Sequence, residues 1–351
     1  MSGPADAITE RVDTILARFL AERAHSLEAV GPELAPLAEE ARRFVLGGGK
    51  RLRPRFAYWG WRTVRSADHD DAAFVTAAAS LELLHACALV HDDVMDASST
   101  RRGRPAAHAV FAAQHRAAAW TGDPDGFGVA AAILLGDLLM SWADALFAST
   151  QPLPAQRAVY DDMRQLVMAG QYLDVLVQAR GEFSAEDAHR VAEFKTSKYT
   201  VEGPLHLGAA AASAPPEVFL ALSDYAIPLG EAFQLRDDVL GVFGDPSETG
   251  KPAGDDLLEG KRTLLVALAM QHAGSTDQEL LRNELGDRAM SPARIQVLRE
   301  VIVATGALAR VEERIVERTT QARAALRPNA LGAAACEALD ALAIAATQRR
   351  T

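Results

Sequence analysis

Two clusters of acidic residues could do chemistry in this sequence, and each follows a mostly apolar stretch. The first, residues 91–96, contains Asp92, Asp93 and Asp96 and comes directly after residues 81–90. Asp92 and Asp96 are four residues apart, so a helix would project both from one face. Like charges held this close repel each other unless a cation lies between them. A few hard oxygen ligands, with room for substrate oxygens, suit magnesium bound together with a phosphorylated ligand. The alternative is a solvated helix end that happens to be acidic.

The second cluster contains Asp237 and Asp238 and follows the apolar residues 225–233. Asp237 lies 145 residues after Asp92, which is far enough for the two clusters to sit on facing helices. Two such clusters in one helical protein are typical of a divided site for metal ions and a polyphosphate.

Basic residues accompany the acidic clusters. Three glycines at 47–49 precede Lys50, Arg51 and Arg53, and this combination of open backbone and positive charge suits phosphate oxygens. The segment is not a Walker P-loop, because the required glycine and Ser/Thr spacing is absent. Each basic residue by itself is more often a surface charge, but their alternation with acids in a net-acidic chain favours a binding site. Further candidates follow along the chain: Arg101, Arg102, Arg104, Lys195, Lys198, Lys251 and Lys261.

The elements that must position these residues are predicted to be helices. Apolar residues recur at helical spacing, for example Leu81, Leu84, Cys87 and Ala88 on one face. Residues 76–90 and 129–148 are apolar almost all round, which is typical of central helices in a bundle. No linker or repeat divides the chain. We therefore expect one all-α domain over residues 1–351, with about ten or more helices and flexible ends, although the length alone would suggest about two domains.

Composition excludes several classes of protein. The 351 residues are 49% apolar and 24% charged, as in an ordinary soluble globular protein. The net charge of −11 disfavours nucleic acid as a partner. No apolar run approaches the ~20 residues of a membrane span, and the acidic first ten residues do not resemble a signal peptide. Two distant cysteines make a disulfide framework or a thiolate zinc site unexpected. These features predict a cytoplasmic enzyme.

Several motifs together resemble those of the trans-isoprenyl diphosphate synthases, the polyprenyl synthetase family. Residues 92–105 (DDVMDASSTRRGRP) resemble the first aspartate-rich motif, and residues 49–54 (GKRLRP) resemble the isopentenyl diphosphate motif. Residues 81–85 (LELLH) resemble the segment that supplies a histidine to the same site. Lys195, Thr196, Gln234, Asp237 and Asp238 fall where later motifs are expected. The resemblance covers residues 40–265 in the expected order, and residues 241–252 (GVFGDPSETGKP) look like the version in actinobacterial geranylgeranyl diphosphate synthases.

The resemblance implies an all-α bundle around a deep central cavity, usually as a homodimer, that joins isopentenyl diphosphate to an allylic diphosphate. It implies that Asp92, Asp96 and Asp237 bind Mg²⁺, for which Mn²⁺ can substitute, and that Asp93, Asp238 and Lys195 complete the catalytic set. The residues implied for the allylic diphosphate are Arg101, Lys195, Thr196, Gln234, Lys251 and Lys261. Those implied for isopentenyl diphosphate are Lys50, Arg53, His85 and Arg102.

One position departs from the family pattern. The second motif usually ends in a third acid, but this chain has Gly241 there. We interpret Gly241 as a lost outer ligand whose place water can take, which puts the strength of the third metal site in question. Asp237 and Asp238 remain, so we expect activity to remain.

Product length should depend on the helix before Asp92. Ala88 and Cys87, four and five residues before it, are small, whereas short-chain family members often have an aromatic there. Leu84 and then Leu81 would form a floor one and two turns further down. We therefore expect geranylgeranyl diphosphate, with twenty carbons, as the main product, unless these residues only pack helices.

Other functions stay open at this point. A class I terpene cyclase shares the fold and the first acidic motif, but it has no use for a second diphosphate site such as Lys50, Arg53 and Arg102. A shorter-chain or longer-chain prenyl diphosphate synthase is a second alternative. A non-catalytic subunit of a heteromeric synthase would have lost acids from both motifs, and here only one is missing.

Overall fold

The structure is a computed structural model that describes residues 4–66, 69, 71–181, 184–245 and 254–348. The described chain is almost entirely helical, which confirms the all-α prediction. The α-helices have these bounds: α1 Pro4–Glu28, α2 Ala35–Leu46, α3 Leu52–Arg62, α4 Ala72–Met95, α5 Ala107–Ala117, α6 Pro124–Ala148, α7 Pro154–Arg180, α8 Ala185–Val191, α9 Gly203–Ala211, α10 Pro216–Phe243, α11 Asp255–Glu259, α12 Leu264–His272, α13 Ser275–Glu284, α14 Pro292–Ala304, α15 Ala307–Ala325, α16 Pro328–Leu331 and α17 Ala333–Thr347. The expected flexible ends, residues 1–3 and 349–351, lie outside the described residues.

Three short or unusual elements complete the described chain. A 3₁₀ turn covers Pro32–Leu34, and a two-stranded hairpin joins β1 (Thr100–Arg101) to β2 (Arg104–Pro105). Both turn residues of the hairpin, Arg102 and Gly103, have positive φ, as tight hairpin turns require.

A π-helix over Ala192–Glu202 joins α8 to α9. The apolar periodicity of residues 185–213 predicts only an ordinary helix there. The wide turns approach neighbouring backbone closely: a Cβ on Gly170 would lie 2.4 Å from Lys195 N, and one on Gly230 would lie 2.4 Å from Ser197 Cα. Glycine at these two positions therefore makes room for the π-helix, whose turns are often associated with functional sites.

The chain divides into two compact units, and the first comprises Met1–Ser99, Pro105–Tyr160 and Pro204–Pro215 as far as they are described. In this unit α4 packs against α3 and α6. Leu81, Leu83 and Leu84 are 0–1% exposed, so α4 is a central helix as expected. Helix α6 begins where the Asp123 carboxylate accepts hydrogen bonds from the N–H groups of Asp125 and Gly126.

The second unit comprises Thr100–Arg104, Asp161–Gly203 and Pro216–Thr351 as far as they are described. Its long helix α10 begins at Pro216, as the proline pair in the sequence predicts, and packs against the π-helix and α15. Leu235, Val239 and Val242 of α10 lie in a core with residues of α11 to α15. This division does not test the expectation of one domain, which stays a prediction.

Two helices, α4 and α6, are long and apolar enough to cross a membrane by length and composition. Within the described residues, 72% of the apolar window of α4 is buried in the protein, but only 39% of that of α6. Neither helix consists of one long uninterrupted apolar run, so the length of such runs in the sequence underestimates how apolar the two helices are. One or two such helices are weak evidence for a membrane protein, and burial of α4 is what a core helix shows.

Candidate active site

The first acidic cluster lies at the C-terminal end of α4. Asp96 caps this helix, and its N–H donates to the Asp92 carbonyl oxygen at 2.8 Å. Ala97 then adopts a left-handed conformation, and Ser98 N–H returns to the Asp93 carbonyl oxygen at 2.9 Å. Asp92 is half-buried, whereas Asp93 and Asp96 are buried. The expected one-turn spacing of Asp92 and Asp96 is therefore present in the structure.

Three of the four residues implied for isopentenyl diphosphate, Lys50, Arg53 and His85, lie at or just before the start of α3 and on α4, in the same unit. Gly48 and Gly49 both have positive φ, so the turn before α3 uses conformations that glycine favours. Lys50 is exposed, and Arg53 and His85 are half-buried. Helices α3 and α4 pack against each other, so the structure brings the elements of these three residues together.

Arg51 differs from its neighbours. The glycine–basic segment suggests that all three of its positive charges serve an anion site, but the Arg51 side chain is only 3% exposed. Its guanidinium donates to Glu82 Oε2 at 2.8 Å, and its charge is therefore used inside the protein. The sequence-based interpretation of Arg51 as an anion-binding charge is wrong.

The arginines after the first cluster lie in the hairpin. Arg101 is half-buried on β1, and Arg102 is exposed at the turn with φ of 53°. The hairpin turn thus separates the two adjacent arginines into a strand position and a turn position.

The second acidic cluster belongs to a hydrogen-bonded chain that begins in the π-helix. Thr196 Oγ1 donates to Gln234 Oε1, and Gln234 Nε2 donates to Asp238 Oδ1 at 2.7 Å. The pKa of Asp238 is raised to about 8, mainly by burial and also by the charges of Asp256 and Asp237, although the hydrogen bond from Gln234 and the charge of Lys261 oppose the rise. Asp237 is half-buried beside it. Three of the predicted residues are therefore linked directly.

Lys195 has a partner that sequence reasoning missed. Its Nζ lies 2.7 Å from Asp174 Oδ2 on α7, and both side chains are largely buried. Asp174 is one acid on an amphipathic helix, and nothing in the sequence distinguishes it from a surface acid. This ion pair fixes the ammonium of Lys195 in the π-helix.

The Asp256 side chain lies beside Gly241, and the interpretation that water takes the place of the lost ligand stays a prediction. A Cβ on Gly241 would lie 1.9 Å from Asp256 Oδ2 and 2.3 Å from its Cγ. Asp256 Oδ1 in turn lies 3.2 Å from Lys261 Nζ, which is also 2.8 Å from Glu259 Oε2. Asp256 and Glu259 are further site residues that sequence reasoning missed. Lys251 lies outside the described residues.

The residues predicted to set product length differ in burial. Cys87 and Leu84 are each 1% exposed, and Ala88 is half-buried. Cys87 Sγ lies 3.8 Å from His91 Nδ1, and His91 Nε2 lies 3.1 Å from the Ile133 carbonyl oxygen of α6. The backbone of Gly136 leaves room for that imidazole ring, because a Cβ there would lie 2.0 Å from His91 Nε2. Cys87 therefore lies beside the contact of α4 with α6.

The donor chemistry of the acidic clusters fits magnesium held with a substrate. Among the described residues, no three His, Cys, Asp or Glu side chains form a group that could enclose a metal ion. Magnesium keeps several water or phosphate ligands and is commonly held by only one or two carboxylates. Pairs of aspartates, with Lys261 near the second pair, suit a magnesium–diphosphate complex better than a bare ion.

The fold and these motifs define a helical prenyltransferase. The chain belongs to the polyprenyl synthetase family, whose model matches residues 35–302, and it is an isoprenyl diphosphate synthase. It is 34% identical to the geranylgeranyl diphosphate synthase of Mycobacterium tuberculosis, over 81% of this chain and 76% of that one. The octaprenyl diphosphate synthase of Escherichia coli K12 is 31% identical, over 91% of this chain and 92% of that one.

Solved structures agree with this assignment. The geranylgeranyl pyrophosphate synthase of Corynebacterium glutamicum, complexed with isoprenyl diphosphate and magnesium, is 40% identical with a TM-score of 0.94, over 99% of this chain and 100% of that one. The polyprenyl synthase of Caulobacter crescentus, complexed with calcium and isoprenyl diphosphate, is 30% identical with a TM-score of 0.80, over 100% of this chain and 99% of that one. The resemblance to actinobacterial geranylgeranyl diphosphate synthases is confirmed.

Proposed function

We propose that this enzyme joins isopentenyl diphosphate to an allylic diphosphate in a magnesium-dependent reaction and makes mainly geranylgeranyl diphosphate. The observation that carries the proposal is the pairing of two acidic clusters with two distinct sets of basic residues. Lys50, Arg53 and His85 supply a diphosphate site beyond the one needed by an enzyme with a single substrate. The two solved relatives described above were crystallised with isoprenyl diphosphate and a divalent cation.

Asp92, Asp96 and Asp237 would hold the magnesium ions, and bound magnesium would act as a Lewis acid on the leaving diphosphate. Lys195, fixed by Asp174, places a positive charge where negative charge grows as the allylic carbon–oxygen bond breaks. Gln234 links Thr196 to Asp238 and so keeps the polar groups of α10 and the π-helix in register.

The carbon–carbon bond then forms between the allylic carbon and the double bond of isopentenyl diphosphate. Apolar side chains such as Leu84 and Leu81 exclude water from the allylic cation. The departing diphosphate accepts the proton that the new intermediate loses, so the mechanism needs no histidine base. His91 is already engaged with the Ile133 carbonyl oxygen and serves packing of α4 on α6.

Product length is proposed to depend on Ala88, with Cys87 and Leu84 nearby. The small side chain of Ala88, one turn before Asp92, would let the growing chain pass, and Leu84 and Leu81 would stop it. The names of the relatives range from short-chain to octaprenyl synthases, so family membership by itself allows several lengths.

We also propose that the enzyme is a cytoplasmic homodimer that pairs through α6. This helix exposes apolar side chains on one side, with Ile133 43% exposed and Leu134 62% exposed. A second copy of the same face would cover them. Light scattering tests this: Leu134→Glu should give monomers, whereas Leu220→Glu, at a similarly exposed leucine (70%) on α10, should not. A wild-type monomer would refute the dimer.

The reaction is tested with pure protein, labelled isopentenyl diphosphate, magnesium and each allylic primer in turn. We expect consumption of both substrates, formation of a twenty-carbon product and loss of the reaction with EDTA. Mn²⁺ is expected to restore part of the activity. Consumption of an allylic diphosphate without isopentenyl diphosphate would instead identify a terpene cyclase, and a different product length would overturn only the chain-length proposal.

A further inference from the structure

Arg51 is a buried charge in a backbone conformation that arginine rarely adopts. It has φ of 47° and ψ of 42°, in the left-handed region, and it caps the N-terminus of α3. A residue other than glycine is disfavoured there by about 1–2 kcal/mol. Such a conformation persists only where the surrounding structure determines it, and such positions cluster at functional sites.

The guanidinium of Arg51 reaches three other helices of the same unit, and these contacts hold the side chain in one place. Its Nε donates to Asp13 Oδ1 of α1 at 2.8 Å, and its Nη1 donates to Glu82 Oε2 of α4 at 2.8 Å. Its Nη2 donates to the Val45 carbonyl oxygen of α2 at 2.9 Å. Burial by itself would lower the pKa of Arg51, but the charges of Glu82 and Asp13 outweigh this effect and raise it.

The network joins the two segments that carry the isopentenyl diphosphate residues. Arg51 stands between Lys50 and Arg53, and Glu82 lies one helical turn before His85 on α4. The Arg51–Glu82 ion pair is almost completely buried, with side chains 3% and 4% exposed. Arg51 therefore has no surface to offer a substrate, but it ties the turn before α3 to α4.

We propose that Arg51 is a positioning residue for isopentenyl diphosphate, and that its ion pair with Glu82 holds Lys50 and Arg53 in place relative to His85. This inference rests on the proposed function of those three residues. A planar guanidinium with three fixed directions is suited to this task, whereas the single ammonium of lysine is not. A small displacement of binding groups is enough to weaken a two-substrate reaction strongly.

The test compares Arg51→Met, Arg51→Lys and Glu82→Gln with wild type. We expect the KM for isopentenyl diphosphate to rise about tenfold or more in each, while the KM for the allylic primer changes less than about twofold. Calorimetric titration, which measures the binding of isopentenyl diphosphate without turnover, should show a matching loss of affinity. In Arg51→Met/Glu82→Gln the losses should not add, because both changes break one network.

Arg42→Met is the matched control, because Arg42 forms an exposed ion pair with Glu39 on α2. It should leave both KM values unchanged. Glu82→Gln is the milder variant if Arg51→Met does not fold, because glutamine keeps an accepting oxygen at this position. Unchanged affinity for isopentenyl diphosphate in a folded Arg51 or Glu82 variant would overturn the positioning role. Failure of wild type to condense the two substrates would instead overturn the proposed function.

Discussion

Gly241→Ala tests whether the Asp256 carboxylate is fixed beside α10. The new methyl would lie 1.9 Å from Asp256 Oδ2, far inside van der Waals contact, so the carboxylate must move. Asp256 is paired with Lys261 at 3.2 Å, and both side chains are largely buried. Moving the carboxylate therefore weakens an ion pair that also sets the charge around Asp238.

Two opposing effects decide the sign of the change in stability. Replacing glycine by alanine inside a helix stabilises by about 1 kcal/mol where the methyl has room. Loss of a hydrogen bond between charged groups costs about 1.5–3 kcal/mol. We therefore expect Gly241→Ala to lower the free energy of unfolding by about 0.5–2 kcal/mol, and the midpoint in urea should fall at constant slope.

The same substitution in an Asp256→Ala background is the control. With the carboxylate gone, the methyl has room, and Gly241→Ala should then raise the free energy of unfolding by about 1 kcal/mol. Urea unfolding followed by circular dichroism measures all four proteins. Equal stabilisation in both backgrounds would refute the reasoning, because it would show that Asp256 yields to the methyl at no cost.

Three further predictions follow from the site. Ala88→Phe should shorten the product by one or more five-carbon units, as chromatography of the dephosphorylated products would show; an unchanged length would remove Ala88 from the chain-length residues. Asp92→Asn should lower kcat/KM by about 10²–10³-fold and raise the magnesium concentration needed for half-maximal rate, with little change in thermal unfolding; retention of full activity would contradict its role. Burial raises the pKa of Cys87 from 9.0 to about 12. As pH rises, the unfolded state therefore loses the thiol proton before the folded state does, and the free energy of unfolding should fall above about pH 9. Cys87→Ala should show a smaller fall. Equal slopes of the free energy of unfolding against pH in the two proteins would contradict this.

Local signals made much of the fold predictable. Pro216 begins α10 and the three glycines at 47–49 follow α2, as the sequence indicates, because both residue types act on the backbone where they stand. The one-turn spacing of Asp92 and Asp96 was predictable for the same reason, since a helix fixes it.

The missing parts of the site depend on contacts between distant residues. Asp174 meets Lys195 across 21 residues, and Glu82 meets Arg51 across 31. Nothing near Asp174 or Asp256 in the sequence marks either residue as the partner of a lysine. Which acids become buried depends on how the helices pack, and the local sequence does not contain that information. Arg51 stands beside two other basic residues, and such a cluster suggests contact with solvent or with a ligand. Its buried position could therefore not be predicted from the sequence.

The π-helix over Ala192–Glu202 makes the length of this segment as important as its composition. A residue turns the chain by about 100° in an α-helix, and by less in a π-helix because each of its turns holds more residues. Deleting a single residue from the segment would therefore rotate Lys195 away from Asp174 or Thr196 away from Gln234, or shift every side chain that follows. Larger side chains at Gly170 or Gly230 would press on the same wide turns from outside. Insertions or deletions in this segment, and larger side chains at Gly170 or Gly230, should consequently disturb the contacts of Lys195 with Asp174 and of Thr196 with Gln234.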